Sequence, residues 1–186
     1  VDGDNLHVEY LRVREGFEHD GTLVDNGDDT WTFVPEANFN GTIALAYEVS
    51  DGTDTTPAYA TVQVDPVNDA PVADESVTFT MSEDGTLTIS EAELLGSSSD
   101  VDGAALHVEN LELGEGTSGS LTPNDADAEG PRTWTFVPDD NFNGSVALSY
   151  AVSDGELTDT VNTTITVDAV NDPATFDGDS SGVVTE

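Results

Sequence analysis

Hydrophobic and polar residues alternate along most of the chain, and turn-forming residues separate the alternating stretches. This period of two, with many β-branched and aromatic residues, is typical of half-buried strands in antiparallel sheets. Gly, Asp, Asn and Pro interrupt the pattern about every 8–12 residues, as in β-sandwiches. The sequence therefore predicts an all-β fold of antiparallel β-sandwiches. The inward-facing positions of the two clearest strands are Ile43, Leu45, Tyr47 and Val49, and Val146, Leu148, Tyr150 and Val152.

One short segment departs from the strand pattern. In SEAELLG (90–96), Ser90 is a suitable N-cap, Glu93 follows three positions later, and Gly96 can end the helix. The segment predicts a helix of one or two turns.

The chain repeats itself. WTFVPEANFNGTIALAYEVSDG (31–52) matches WTFVPDDNFNGSVALSYAVSDG (134–155), an offset of 103 (134 − 31). VDPVNDAP (64–71) and VDAVNDP (167–173) follow at the same offset. This period is too long for a solenoid and has the size of one sandwich domain.

The repeat divides the chain into three parts. Residues 1–69 are expected to form a repeat without its first strands, residues 70–172 a complete repeat, and residues 173–186 the beginning of a third. The chain starts inside a motif, so it is expected to be a piece of a longer protein.

The charge limits the possible functions. The 186 residues include 39 Asp and Glu but only three Arg and no Lys, giving a net charge of −36. A protein surface that binds nucleic acid or an anionic membrane needs positive charge, so neither partner is expected. No apolar run approaches the length of about 20 residues that spans a membrane. Cysteine is absent, and no motif of nucleophilic catalysis is present, so the chain is not expected to be an enzyme.

The acidic residues collect in recurring loops. The motifs are SEDG (82–85), DVDG (100–103), VSDG (49–52 and 152–155) and VDPVND or VDAVND (64–69 and 167–172). Each alone is also a good turn sequence. Together, however, they form groups of hard oxygen donors without His or Cys, which suit Ca²⁺ better than Mg²⁺. Because sandwich loops cluster at two poles, we expect Asp69, Asp100, Asp102 and Asp154 to meet where successive repeats join.

These motifs, in this order, resemble the cadherin-like tandem repeats of giant RTX-type bacterial surface adhesins. The resemblance covers the whole chain and rests on VNDAP, VSDG and DVDG at one spacing. The tail NDPATFDGDSSGVVTE (171–186) resembles the start of a VCBS repeat.

The resemblance implies immunoglobulin-like or cadherin-like sandwiches of about seven strands with Ca²⁺ at the inter-domain joints. At the position where cadherins carry further acidic residues, this chain has NFNG (38–41 and 141–144), so the number of ions per joint stays open. The implied ligands of the first complete joint are Asp65, Asn68, Asp69, Asp100, Asp102 and Asp154. Those of the following joint are Glu83, Asp168, Asn171 and Asp172, and Asp2 and Asp51 would face a preceding repeat.

The resemblance also implies a function. The chain would be a set of non-catalytic extender domains of a large secreted or cell-surface adhesin, stiffened by Ca²⁺ and supporting adhesion and biofilm formation. Its partners would be neighbouring repeats, and any polysaccharide or cell-surface ligand would bind elsewhere in the protein. Two alternatives stay open: a carbohydrate-binding accessory module of a secreted polysaccharide-degrading enzyme, and an acidic surface that only maintains solubility in high salt.

Overall fold

The structure is a computed structural model that describes residues 5–17, 19–124 and 132–173. The chain divides into two compact units, Val1–Asn68 and Asp69–Glu186. The predicted start of a third repeat lies almost entirely outside the described residues and stays a prediction.

The first unit is built from two small sheets. One has three strands in the order β1-β4-β5, and the other pairs β2 with β3. All pairings in this unit are antiparallel. The strands are β1 (His7–Val13), β2 (Gly21–Asp25), β3 (Trp31–Pro35), β4 (Gly41–Ser50) and β5 (Thr55–Val64).

The second unit is a fuller sandwich. A four-stranded sheet has the order β6-β12-β11-β8, and a three-stranded sheet has the order β7-β10-β9. The strands are β6 (Phe79–Ser82), β7 (Leu87–Ser90), β8 (His107–Leu113), β9 (Ser120–Asn124), β10 (Thr133–Val137), β11 (Gly144–Ser153) and β12 (Thr158–Asp168). The predicted all-β class is confirmed.

One strand pair of the second unit is not antiparallel. β6 runs parallel to β12, with Phe79 opposite Ile165 and Met81 opposite Val167. The first and last strands of the unit therefore lie side by side. Parallel neighbours need a long connection between them, and the strands β7 to β11 provide it here.

The predicted alternation explains the core of the second unit. The inward residues Val146, Leu148, Tyr150 and Val152 of β11 are at most 1% exposed. Residues from both sheets join them, because each strand turns every second side chain inward. The cluster also contains Ile89, Leu94, Val108, Trp134, Phe136, Val161, Ile165 and Val167.

The predicted helix is present as α1 (Glu91–Leu95). Its capping box is complete, because the Ser90 side chain accepts the Glu93 N–H and the Glu93 carboxylate accepts the Ser90 N–H. The Ser90 hydroxyl and N–H lower the pKa of Glu93. Leu94 is fully buried, and its carbonyl accepts a hydrogen bond from the Tyr150 hydroxyl at 2.8 Å. The short helix thus closes one side of the core.

No helix among the described residues is long and apolar enough to cross a membrane.

Replacing Leu94 by Ala tests this closure. The substitution removes a fully buried side chain, so we expect the free energy of unfolding of the second unit to fall by about 2–5 kcal/mol. Chemical denaturation followed by fluorescence measures it. The matched control is Leu157→Ala, because Leu157 is 42% exposed and its loss should cost less than about 1 kcal/mol. Equal losses in the two variants would contradict the role assigned to α1.

Candidate metal-binding site

The DVDG loop lies in the second unit between α1 and β8. Oδ1 of Asp100 accepts hydrogen bonds from the N–H groups of Asp102 (2.8 Å) and Ala104 (3.3 Å). Oδ2 of Asp102 in turn accepts the N–H of Asp69 at 2.8 Å. An Asp that binds the backbone two residues ahead forms a compact turn. The loop therefore brings Asp100 and Asp102 together and links Asp102 to the backbone of Asp69.

The second carboxylate oxygen of Asp100 is unusual. Oδ2 is buried and has no hydrogen-bond partner among the described residues. A buried, unpaired polar atom costs free energy, and more so when it carries charge. A cation would satisfy this oxygen, and hard carboxylate oxygens are what Ca²⁺ prefers. The residues present at this loop thus fit a calcium ion in their chemistry.

The remaining ligands proposed for this joint are placed as follows. Asp65 is exposed and Asn68 half-buried, and both follow β5 in the first unit. Asp154, in the second unit, is half-buried, and its Oδ1 accepts the N–H groups of Glu156 and Leu157 at 2.7 Å each. Within the described parts of the chain, no group of three or more His, Cys, Asp or Glu is arranged to hold a metal ion. The full ligand set therefore stays a prediction.

Glu83 is the most buried of the predicted ligands. It is 6% exposed, and Oε1 accepts the N–H of Val170 at 2.7 Å. Oε2 accepts a hydrogen bond from Nδ2 of Asn143 at 3.2 Å, and the Glu83 N–H donates to the Asp168 carbonyl at 3.0 Å. This carboxylate therefore ties the end of β6 to the segment that follows β12.

Asn143 belongs to the second NFNG motif, which stands where cadherins carry further acidic residues. Its side chain contacts Glu83 through the amide nitrogen. The other predicted ligands of this pole, Asp168, Asn171 and Asp172, are exposed, and the Asn171 side chain donates to the Asp172 carbonyl at 3.1 Å.

The first unit repeats the turn seen at Asp154. Oδ1 of Asp51 accepts the N–H groups of Thr53 and Asp54, both at 2.8 Å. The hydrogen bond from the Asp54 N–H, and to a smaller extent that from the Thr53 N–H, lowers the pKa of Asp51. Both Asp residues of the VSDG motifs thus hold hairpin turns. Asp2, the other predicted ligand facing a preceding repeat, lies outside the described residues.

Asp74 has a structural role that the sequence analysis missed. Oδ1 accepts hydrogen bonds from the N–H (2.9 Å) and hydroxyl (2.6 Å) of Ser76, and Oδ2 accepts those of Ser97 (2.9 and 2.8 Å). These four bonds, the Ser76 hydroxyl foremost, hold the pKa of Asp74 far below its usual value. The Asp-x-Ser spacing at 74–76 was the available local signal. Ser97 could not be identified, because it is distant in sequence.

One comparison with known proteins identifies the type of domain. A family model described as a cadherin-like domain matches residues 1–65 and again residues 67–168. A search of curated proteins finds no match.

Among solved structures, the chain is similar to the endo-fucoidan hydrolase MfFcnA4 of glycoside hydrolase family 107, with 24% identity and a TM-score of 0.34 over 91% of this chain. It is also similar to mouse clustered PcdhgC3 EC1-3, with 14% identity and a TM-score of 0.38 over 87% of this chain and 54% of that one. Domains 4 and 5 of the S-layer protein SbsC match with 14% identity and a TM-score of 0.32, over 87% of this chain and 70% of that one. The chain spans 24% of the fucoidan hydrolase.

The Asp74 contacts predict a specific pH dependence. The pKa of Asp74 in the folded protein lies below its ordinary value of 3.8. The stabilisation that the Asp74 carboxylate provides is therefore present above about pH 3.8 and is lost as the pH falls toward the pKa of the folded state. Asp74→Asn should therefore reduce the free energy of unfolding near neutral pH, and the difference from the original chain should shrink below about pH 4. Denaturation curves between pH 7 and pH 2 measure this difference.

The control is Asp140→Asn, which replaces an exposed Asp of the same unit. It should leave stability nearly unchanged at each pH. A loss for Asp74→Asn that does not depend on pH would contradict the assignment.

Proposed function

The chain belongs to the cadherin-like domain family, and we propose that it acts as a calcium-binding, non-catalytic extender of a large secreted or cell-surface bacterial adhesin. Calcium stiffens the string of domains, which holds a distant binding domain away from the cell and so supports adhesion and biofilm formation. The observation that carries the proposal is that Oδ2 of Asp100 is buried and has no hydrogen-bond partner within the described part of the chain. Asp69 and Asp102 would bind the ion with it, joined by Asp154 and by Asp65 and Asn68 of the linker.

The charge balance supports this proposal. The chain has a net charge of −36, and the described residues contain one ion pair between an Arg and a carboxylate, Arg132 with Glu91 at 3.5 Å. Carboxylates close together disfavour each other's ionised form. A divalent cation bound among loop carboxylates offsets this repulsion, whereas the chain's own three Arg cannot.

The size of the calcium-binding free energy indicates which property of the protein calcium changes. Extracellular Ca²⁺ modules bind with dissociation constants of about 10⁻⁴–10⁻³ M. At ten times that concentration, one site adds about 1.4 kcal/mol. This is modest beside the core of a sandwich but large for a linker with few contacts. Calcium is therefore proposed to order the joint and not to fold the domains.

The non-catalytic part of the proposal rests on the roles that the carboxylates already have. The Asp residues of the repeated VSDG motifs bind backbone N–H groups of their own turns, in both units. A carboxylate that recurs in each repeat and holds a turn suits a structural role better than an active site. Partners are then neighbouring repeats of the same protein.

Calcium titration calorimetry tests the proposed site. The original chain should bind Ca²⁺ with a dissociation constant of about 10⁻⁴–10⁻³ M. The double variant Asp100→Asn, Asp102→Asn should lose this binding, because amides carry no charge and bind Ca²⁺ more weakly than carboxylates.

The matched control for calorimetry is Asp139→Asn, Asp140→Asn, which removes two exposed neighbouring carboxylates elsewhere in the same unit. It should bind like the original chain. Absence of binding by the original chain, or equal weakening in both double variants, would refute the calcium proposal and favour the acidic surface as a solubility device.

Rotational diffusion measured by NMR relaxation tests the stiffening. Adding Ca²⁺ should raise the rotational correlation times of the two units toward a common value, while circular dichroism stays the same. Unchanged correlation times at saturating Ca²⁺ would contradict the extender mechanism even if the ion binds.

A second candidate is a carbohydrate-binding accessory module. The observation that favours it is the exposure of two aromatic side chains in the first unit, Tyr10 at 70% and Tyr59 at 69%. Aromatic faces of this kind can stack on sugar rings. Retention of the chain on insoluble polysaccharides, abolished by Tyr59→Ala, would support this candidate, and absence of retention would leave the extender proposal alone.

A further inference from the structure

The two repeats carry different residues at a small group of surface positions. HVEYLRVREG (7–16) aligns with HVENLELGEG (107–116) at an offset of 100 (107 − 7), and β5 aligns with β12 at the offset of 103. Within these aligned segments the first unit has large aromatic and basic residues where the second has Asn110, Glu112, Gly114 and Asn162. The first-unit residues, which we call the Arg–Tyr surface, are Tyr10, Arg12, Arg14 and Tyr59, and all four are exposed.

The exposure of these positions does not depend on which strands lie at the edges of the sheet. Asn110, Glu112 and Asn162 are also exposed in the second unit, where β6 pairs with the outer edge of β12. That pairing runs only from Ile165 to Asp168, so β6 does not reach Asn162. Packing therefore does not require Tyr or Arg at these positions in the first unit.

The backbone pairing places both Arg and Tyr59 on the outer face of the sheet β1-β4-β5. Arg12 lies opposite Ala46, and Ala46 lies opposite Tyr59 on β5. The Arg14 N–H donates to the Ala44 carbonyl at 2.9 Å, which sets Arg14 beside the same stretch of β4. The Arg14 guanidinium carbon lies 5.7 Å from the centre of the Tyr59 ring, a cation–π contact. Three members of the surface are thus neighbours.

Tyr10 has a backbone conformation that tyrosine rarely adopts. It lies in the irregular pairing between Glu9 and Arg12, with φ of 54°. Its counterpart Asn110 has φ of 53°, and Asn is one of the few residues that tolerate this conformation. Tyr10 is 70% exposed, so burial does not offset the cost. A strained and exposed aromatic residue indicates a role in binding rather than in folding.

The two guanidinium groups lack a carboxylate partner within the described part of the chain. Neither Arg12 nor Arg14 forms an ion pair there, whereas Arg132 does. Glu9 and Glu48 lie opposite each other on the far side of the irregular pairing. In a chain with a net charge of −36, these two Arg form a local positive site. Charge complementarity therefore indicates an anionic ligand.

We propose that the Arg–Tyr surface binds an anionic polysaccharide. Arg12 and Arg14 bind its carboxylate or sulfate groups, because guanidinium forms strong charge-assisted hydrogen bonds with such groups. The rings of Tyr10 and Tyr59 pack against the C–H faces of the sugar rings, as flat amphipathic aromatic groups can. An acidic peptide would offer the charge without these flat faces. Repulsion by distant carboxylates is limited, because the Debye length is about 8 Å at physiological salt.

The inference names the ligand class of the carbohydrate-binding candidate and rests on that candidate. It does not depend on calcium binding, since the surface lies on a sheet face and not in the acidic loops. An extender could carry it as well, because binding to a sheet face leaves the ends of the domain free.

The test measures binding to the full chain by NMR chemical-shift titration in EDTA, which removes any binding through calcium bridges. The four probes are oligogalacturonate, dextran sulfate, neutral dextran and poly-glutamate. We expect saturable shifts of β1 and β5 amides with at least one of the two anionic sugars, and at least about tenfold weaker binding of dextran and poly-glutamate. The anionic sugar that binds more tightly identifies the acidic group.

Two variants test the assigned residues. Arg12→Gln, Arg14→Gln should weaken binding at least about tenfold, because both charge-assisted contacts are lost. Tyr59→Asn introduces the residue of the second unit and should also weaken binding. The charge-matched control is Thr160→Glu, Thr164→Glu, which lowers the net charge equally at exposed positions of β12. The control should bind like the original chain, and circular dichroism should show that all variants are folded.

Four results would overturn the proposal. Equal binding of neutral dextran would remove the anionic requirement but keep the carbohydrate-binding candidate. Equal binding of poly-glutamate would identify an acidic protein segment as the ligand. Binding of no sugar would remove the inference and the candidate together, while the calcium titration would still decide the extender proposal. Equal weakening in the charge-matched control would indicate a general effect of charge and no site at these residues.

Discussion

Carboxylate oxygens that accept hydrogen bonds from the backbone hold the loops of this protein. Asp100 fixes the turn before β8, Asp51 and Asp154 fix the hairpins after β4 and β11, and Glu83 fixes the segment after β12. With a net charge of −36 the chain cannot neutralise these groups itself. The same residues that shape the loops therefore make both poles of the sandwich strongly negative, and the affinity for cations proposed here follows from that constraint.

The strands and the loops of this protein have separate structural roles. Alternating apolar residues supply the core of the second unit, as in the fully buried inner face of β11. Most of the acidic residues in the described parts of the chain lie in loops and at strand ends, where they can bind backbone N–H groups, water or ions. Under the proposed function, this separation would leave each domain stable without calcium, whereas the joint beside it would depend on the ion.

The sequence was sufficient for the features that depend on local pattern. The alternation around Leu148 predicted the inner face of β11, and Ser90 with Glu93 predicted the capping box of α1. Contacts between distant residues could not be predicted. Ser97 completes the Asp74 cluster from 23 positions away, and nothing in the local pattern around Asp74 identifies it.

The candidate site shows the same limit. The sequence identified the carboxylates but not what each oxygen binds. Oδ1 of Asp100 accepts the N–H groups of Asp102 and Ala104, whereas its Oδ2 is buried and has no partner among residues 5–17, 19–124 and 132–173. This difference depends on the packing around the loop. Asn143 was noted as a departure from the cadherin pattern, yet its contact with Glu83 joins residues 60 positions apart.

The central claim is that a divalent cation binds at the oxygens of the DVDG loop. A high-resolution crystal structure grown in millimolar calcium tests it most directly. The account predicts an ion about 2.3–2.6 Å from Oδ2 of Asp100 and from a carboxylate oxygen of Asp102, with at least six oxygen ligands in total. Ordered water at hydrogen-bonding distance in place of the ion, or an Asp100 Oδ2 that donor groups of the protein already satisfy, would contradict it.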